Sequence, residues 1–218
     1  MDENISLREK IYRRIKDDIT YGKILPGERL IESKLVEEFK ASRAPIREAL
    51  RHLESEGLAK FERNKGITVL KLSTKEVDEI YSLRWLLESY AARLSAERAT
   101  RKQITYLRHL HNELKRAVRK SNLGSWIQNN ILFHNFFSEN SGNSNLIQIL
   151  DTLKRRVYRY HYTIIRIPGH FKSYIEHHEG ILRACETNDG DMAEKFMKLH
   201  IEKIKDVLIP YLKDFPNF

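Results

Sequence analysis

The sequence predicts a mostly α-helical protein in two parts, a small N-terminal unit with a β-hairpin and a larger all-helical antiparallel bundle. Three observations predict this fold class. Apolar residues recur every three to four positions, the helical period, through most of the 218 residues. Between residues 58 and 70 this period is replaced by short apolar runs that are typical of strands. Short connections join the later helical segments. Short connections between long amphipathic helices place successive helices side by side in an antiparallel bundle.

Composition excludes several classes of protein. No apolar run is longer than three residues, whereas a membrane-spanning helix needs about 20. The opening Met1-Asp2-Glu3-Asn4 lacks the basic and apolar stretches of a signal peptide. The single cysteine, Cys185, cannot form an internal disulfide. We therefore expect a cytoplasmic protein with no membrane partner.

The net charge of +9, from 39 Lys+Arg and 30 Asp+Glu, is compatible with an anionic partner. Residues 1–72 carry only +3 of it and residues 73–218 carry +6. The segment 152–175 contains six basic residues and no acidic one. These side chains form either a solvated face or, in part, an inward-pointing group that attracts an acidic small molecule.

The N-terminal helices and strands are predicted from the spacing of apolar residues and from the residues that begin and end each element. The positions of Leu7, Ile11, Ile15 and Ile19 predict one amphipathic helix. A second helix is expected around Glu32–Phe39 and a third from near Ser42 to about Ser55, followed by strands at 58–61 and 67–70. The capping-box pattern Ser73-Thr74-Lys75-Glu76 opens the next helix. We therefore predict domains at 1–72 and 73–218.

Two short helices and a β-hairpin form a winged helix-turn-helix pattern, in which the second helix can enter the DNA major groove. Ser42, Arg43, Ala44, Pro45 and Arg47 lie at its N-terminal end. The arginine fork can bridge guanine O6 and N7 or hold a phosphate. Lys65 and Gly66 at the hairpin tip could approach the minor groove or the backbone. The periodicity alone leaves open a three-helix module whose arginines are merely solvated.

The residues of this segment resemble the DNA-binding domain of a known family. Ser42-Arg43-Ala44-Pro45-Ile46-Arg47-Glu48-Ala49-Leu50, with the lead-in from Ile24 to Leu30, resembles the winged-helix domain of the GntR family of bacterial transcription regulators. The resemblance covers about residues 7–71. It implies DNA contacts by the five residues at the start of the third helix and by Gly66, and a backbone contact by Ser33. Lys40 stands where the family usually has glycine, which predicts a left-handed residue at the turn.

The neighbouring residues of three of the nine histidines suggest a metal site. Asn130 and His134 are four residues apart on one predicted helix face, and His178 and His200 lie among apolar residues on two later helices. Three imidazoles and an amide oxygen suit zinc or nickel, but spacing alone does not require these residues to meet. The other histidines are expected to be surface or hydrogen-bonded groups, namely His52, His109, His111, His161, His170 and His177.

The C-terminal part also resembles a known domain. The strings that carry the resemblance are Arg84-x-x-Leu87-Glu88, Phe133-His134, Ser141 to Leu146, His178-x-x-Ile181-Leu182, Asp191-x-Ala193 and His200. They are similar to the metal-containing FCD ligand-binding domain of the FadR subfamily, over about residues 74–213. The resemblance implies a divalent metal ion held by Asn130, His134, His178 and His200, with a carboxylate effector beside it.

Two residues qualify what the resemblance implies. Asn130 occupies a position where many relatives have aspartate, and a neutral amide leaves the site more cationic and better suited to an anion. Arg84 falls at a position that faces the effector cavity, where it could bind a carboxylate. The alternative for Arg84 is an ion pair with Glu88, one helical turn away.

Together these features predict a DNA-binding transcription regulator rather than an enzyme. We expect a C2 homodimer that binds a palindromic operator in double-stranded DNA, acts as a repressor and responds to a small anionic effector. Two alternatives stay open at this stage: a metal-dependent enzyme, and a regulator whose metal is purely structural.

Overall fold

Helices account for most of the structure, a computed structural model that describes residues 5–63, 66–160, 163–164, 167 and 171–214. The N-terminal elements are α1 (Leu7–Thr20), α2 (Glu32–Phe39), α3 (Arg43–Ser55), β1 (Ala59–Glu62) and β2 (Gly66–Val69). The C-terminal elements are α4 (Thr74–Arg98), α5 (Arg101–Arg119), α6 (Leu123–Asn140), α7 (Ser144–Val157), a 3-10 turn (Tyr158–Tyr160), α8 (Phe171–Glu186) and α9 (Gly190–Asp214). The predicted fold class is confirmed.

The N-terminal unit packs three helices against an antiparallel hairpin. Ala59 pairs with Val69 and Glu62 with Gly66, and Arg29 adds an isolated bridge to Thr68. A separate apolar cluster fills this unit, and its fully buried members include Ile11, Ile15, Ile46 and Leu53. Leu7 is about half exposed, so the apolar stripe predicted for α1 is buried only from Ile11 onward.

The turn between α2 and α3 contains the left-handed residue that the sequence predicted. Lys40 has φ 47° and ψ 43°, a conformation that costs a residue with a Cβ atom more than it costs glycine. The Ala41 N–H donates to the Val36 carbonyl at 3.2 Å, which closes the end of α2. This closure sets the direction in which α3 begins.

The C-terminal helices are delimited by caps that can be seen in the sequence. The Ser73 hydroxyl accepts from the Glu76 N–H at 3.2 Å while the Glu76 carboxylate accepts from the Ser73 N–H at 2.8 Å, so the predicted capping box is present. Thr100 and Gln103 form a second one at the start of α5. Helix α4 packs against α6, α7, α8 and α9 around a second apolar cluster, which begins at Leu72. No helix in the described part of the chain combines the length and apolar content needed to cross a membrane.

The 3-10 turn after α7 touches the link between the two clusters. The buried Tyr160 hydroxyl accepts from the Leu72 N–H at 3.0 Å and donates to the Leu72 carbonyl at 3.4 Å. On α7, Arg155 lies 3.7 Å from the carboxylate of Glu56, the residue that follows α3. The predicted boundary between residues 72 and 73 stays a prediction.

Candidate functional site

The first turn of α3 faces outward at the predicted DNA-binding end. Ser42 caps the helix in an extended conformation, and Ser42 and Ala44 are exposed while Pro45 is half-buried. The side chains of Arg43 and Arg47 are 75% and 60% exposed, one turn apart. Four N–H groups without an intrahelical partner begin every helix, so this end can also hold a phosphate.

The other predicted DNA contacts border a groove between α3 and the hairpin. Ser33, Arg47 and Gly66 line this groove, which has a volume of about 520 Å³. Gly66 has φ 78°, a left-handed conformation that favours glycine. Arg29 and Arg51, which were not among the predicted contacts, line the same groove. Lys65 lies outside the described residues.

An acidic residue that the sequence analysis did not single out, Glu32, is hydrogen-bonded to Arg47 and lies near Arg43. The Arg47 Nε–H donates to the Glu32 carboxylate at 2.9 Å, and the Arg43 Nε lies 4.0 Å from the other carboxylate oxygen. The hydrogen bond with Glu32 raises the pKa of Arg47. Glu32 is on α2, 15 residues before Arg47, so no helical spacing could have indicated the contact.

The structure brings the three predicted histidines together inside the bundle. The Nε2 atom of His200 on α9 lies 3.2 Å from the Nε2 atoms of His134 on α6 and of His178 on α8. All three side chains are buried, and one nitrogen of each lies within 4.8 Å of the others. Among the described residues this is the only group of at least three His, Cys, Asp or Glu side chains with such an arrangement.

This arrangement fits a divalent ion. Two nitrogens that each lie about 2.1 Å from one ion are about 3.0 Å apart at a right angle and about 3.4 Å apart in a tetrahedron, and the observed 3.2 Å falls between them. Burial lowers the pKa of His134 and lowers those of His178 and His200 well below the usual value. The imidazoles are therefore neutral near pH 7, as metal ligands must be.

A carboxylate fixes the tautomer of one histidine. The Glu88 Oε2 atom lies 2.8 Å from the Nδ1 atom of His134, so Nδ1 carries the proton and the Nε2 lone pair faces the other two imidazoles. Burial would raise the pKa of Glu88, but Arg84 and His134 together bring it well below the usual value. Glu88 is therefore ionised. The sequence indicated it only as a partner of Arg84.

Asn130, the predicted fourth ligand, borders a small cavity next to two of the three histidines. Its side-chain oxygen is buried and has no hydrogen-bond partner, which is costly unless something else binds it. Asn130 lines a small cavity of about 10 Å³ together with His134, His200 and Arg84. A space of this size holds about one water molecule or ion. The orphaned oxygen therefore fits a metal ligand.

Arg84 forms the ion pair with Glu88 and also borders the small cavity beside the histidines. Its Nε–H donates to Glu88 Oε1 at 2.6 Å in a buried ion pair, which is the alternative recognised in the sequence. Its Nη1 atom is buried without a hydrogen-bond partner, and the residue lines the cavity. One donor of the guanidinium is thus committed to Glu88 while another is available to a ligand.

One of the basic residues in 152–175 does point inward, but it binds protein atoms. The buried Lys154 ammonium donates to the His134 carbonyl at 3.1 Å, to Asn135 Oδ1 at 3.1 Å and to the Ser138 hydroxyl at 2.9 Å. Burial lowers the pKa of Lys154. Lys154 therefore links α7 to the part of α6 that contains His134.

The remaining histidines mostly match the expectation of ordinary side chains. His52 stacks on Tyr12 with ring centroids 4.0 Å apart, and His109 is exposed. The expectation was wrong for His111, which is buried with no hydrogen-bond partner on either ring nitrogen. Burial lowers the pKa of His111, and the Glu179 carboxylate lies 4.0 Å from its Nε2 atom, beyond hydrogen-bonding distance. His161 and His170 lie outside the described residues.

Two known protein families match separate segments of the chain. The family described as "Bacterial regulatory proteins, gntR family" matches residues 7–69, and the FCD domain matches residues 79–203. This chain is a GntR-family regulator with an FCD domain.

Relatives of this GntR-family regulator extend over nearly its whole length. It is 30% identical to the HTH-type transcriptional regulator YdhC of Bacillus subtilis strain 168, over 91% of each chain. It is 26% identical to the HTH-type transcriptional repressor RspR of Escherichia coli strain K12, over 92% of this chain and 88% of RspR. The solved structure of E. coli McbR/YncC has the same fold, with a TM-score of 0.83 and 24% identity over 95% of this chain and 99% of that one. The regulator is a DNA-binding transcription factor.

Proposed function

We propose that this GntR-family regulator is a cytoplasmic repressor that binds a palindromic operator in double-stranded DNA. The exposed arginine pair at the N-terminal end of α3 is the observation that carries the proposal. A helix start in the major groove offers both base-reading side chains and phosphate-binding N–H groups. Ser42, Ala44 and Pro45 would approach the bases with the arginines, while Ser33, Lys65 and Gly66 would contact the backbone.

A homodimer supplies the two-fold symmetry that a palindrome requires. Leu83, Leu86 and Tyr90 are each about half exposed and lie three and four residues apart on α4. Their spacing places them on one outward helix face, and exposed apolar stripes of this kind mark protein interfaces. A second copy packing against this face would join two recognition helices in one C2 dimer.

In the C-terminal domain, the proposed ligands of a divalent metal ion are Asn130, His134, His178 and His200. Nitrogen-rich sets favour zinc or nickel. The support is chemical: three buried neutral imidazoles face one another and an amide oxygen beside them has no other partner. When bound, the ion would supply positive charge and an open coordination position.

The effector is proposed to be a small carboxylate. Three buried charged side chains surround the histidines: Arg84 and Lys154 are positive and Glu88 is negative. The net charge of these protein groups is therefore +1, because every proposed metal ligand is neutral. An anion would offset this excess. Its carboxylate would accept from the free Nη1 of Arg84. Because the cavity holds only about one water molecule, a larger anion must displace wall residues, which couples binding to a change in shape.

A metal-dependent enzyme is the second candidate, and the contacts of Glu88 weigh against it. A general base must be free to take a proton from its substrate. Glu88 is buried between Arg84 and His134, with one oxygen bonded to each. It is therefore a group that orients a ligand rather than a base. The third candidate, a purely structural metal, predicts a folded dimer with no response to carboxylates.

Operator binding in the presence of candidate effectors tests the proposal. Zinc-loaded protein is titrated onto a duplex that it selects from a randomised library, alone and with each member of a panel of small carboxylates. We expect at least one carboxylate to shift the operator Kd by roughly 5-fold or more, and the shift to be lost in Arg84→Gln. If no carboxylate in the panel changes the operator Kd, the result would favour a regulator with a purely structural metal.

A further inference from the structure

We propose that Glu32 is a positioning residue that determines how selectively α3 binds its operator. The inference rests on the proposed DNA contacts of Arg43 and Arg47. Glu32 begins α2, and its side chain is about one-third exposed. Its two carboxylate oxygens face the two arginines, at 2.9 Å from Arg47 Nε and 4.0 Å from Arg43 Nε. One acidic group therefore borders both of the proposed base-reading side chains.

The bond to Glu32 leaves the base-reading edge of Arg47 available. An arginine has five N–H donors in one plane, and the contact with Glu32 is made by Nε. The two terminal nitrogens form the edge that fits guanine O6 and N7. A guanidinium already held on one side loses less conformational freedom when it binds a base. Glu32 therefore raises the affinity for the operator, in which Arg47 binds a specific base.

The same carboxylate disfavours binding to random DNA. Non-specific affinity comes from lysine and arginine contacts with phosphates, without regard to sequence. A negative charge beside Arg43 and Arg47 offsets part of their charge and repels nearby phosphates. A random duplex offers no base contact in return. Glu32 thus lowers the affinity for random sequence more than the affinity for the operator.

The test compares affinities for two duplexes at several salt concentrations. One duplex is the palindrome that the wild-type protein selects from a randomised library, and the other is its shuffled sequence. The variants are Glu32→Gln, which removes the charge, Glu32→Asp, which keeps the charge on a shorter side chain, and Glu38→Gln. Glu38 is exposed on the same helix, so its substitution removes the same charge away from the arginines.

In Glu32→Gln we expect the preference for the palindrome to fall by roughly 5- to 10-fold. The salt dependence of shuffled-duplex binding becomes steeper by about one unit, as Arg47 gains a phosphate contact. Glu32→Asp loses palindrome affinity without gaining affinity for the shuffled duplex. Glu38→Gln keeps the wild-type preference within about twofold. In an Arg47→Ala background, where only the 4.0 Å contact with Arg43 remains, Glu32→Gln changes the preference by less than about twofold.

Three results would overturn the inference. The first is equal preference in Glu32→Gln and Glu38→Gln. The second is an undiminished effect of Glu32→Gln in the Arg47→Ala background, because Glu32 would then act through another group. The third is full operator preference in both Arg43→Ala and Arg47→Ala. Only that third result also removes the proposed DNA contacts, so the two failures are distinguishable.

Discussion

Asn130 is the residue whose chemistry most affects the proposed metal site. A carboxylate at this position would add one negative charge to a cluster of neutral imidazoles, and ligand charge is a main determinant of metal affinity. Asn130→Asp should therefore tighten zinc binding by about tenfold or more, measured by competition with a chromogenic chelator. Asn130→Ala, which removes the orphaned oxygen, should weaken it. Equal zinc affinity in all three proteins would remove Asn130 from the ligand set.

His134 links the histidine cluster to Glu88 and should be indispensable for metal binding. His134→Ala removes one ligand and leaves the Glu88 carboxylate without its imidazole partner. We expect purified His134→Ala to hold less than about a tenth of the wild-type metal per chain, measured by elemental analysis. His109→Ala, which changes an exposed histidine on α5, should retain the wild-type content. Wild-type metal content in His134→Ala would contradict the proposed site.

At the scale of single elements, the turn between α2 and α3 gives a direct stability test. Lys40 adopts a left-handed conformation, and glycine enters this region without the steric cost of a Cβ atom. Lys40→Gly should stabilise the protein by about 0.5–1 kcal/mol in denaturant unfolding. Lys34→Gly, within α2 at a helical position, should instead destabilise it by about 1 kcal/mol. Loss of stability in Lys40→Gly would contradict the assignment of strain to this residue.

The elements were largely predictable because their signals are local. The capping box at Ser73 and the bounds of α2 follow from residues close together in the sequence. The left-handed Lys40 was predicted because the family resemblance places glycine at that position. The three histidines were predicted as ligands, but only the packing of α6, α8 and α9 shows that they meet. The roles of Glu32 and Lys154 were not predictable, since their contacts join different helices and no periodicity relates them.

At the scale of the whole molecule, α7 and the 3-10 turn after it connect the histidine cluster to the DNA-binding unit. Lys154 holds the backbone of His134 on one side of α7. The next residue, Arg155, lies beside Glu56 at the end of α3. Three residues after α7, the Tyr160 hydroxyl is hydrogen-bonded to the backbone of Leu72. These contacts form a continuous physical connection between α6 and the DNA-binding unit.

The Tyr160 contact should contribute measurably to the stability of this connection. Tyr160→Phe leaves the buried Leu72 N–H and carbonyl without their hydroxyl partner, which should cost about 1–3 kcal/mol. Tyr106→Phe, at a half-exposed position on α5, should change stability by less than about 0.5 kcal/mol. Denaturant unfolding measures both. Equal stabilities of the two variants would show that the Tyr160 bonds do not hold the connection.

Operator preference is the most direct test of the central claim, which is that the start of α3 binds a specific palindrome. The measurement is a gel-shift titration of the wild-type protein and of Arg43→Ala at several salt concentrations, with the selected palindrome and its shuffled sequence. We predict that the wild type binds the palindrome at least about 1,000-fold more tightly than the shuffled duplex. Arg43→Ala should lose this preference and keep its metal. Equal affinity of the wild type for the two duplexes would contradict the account.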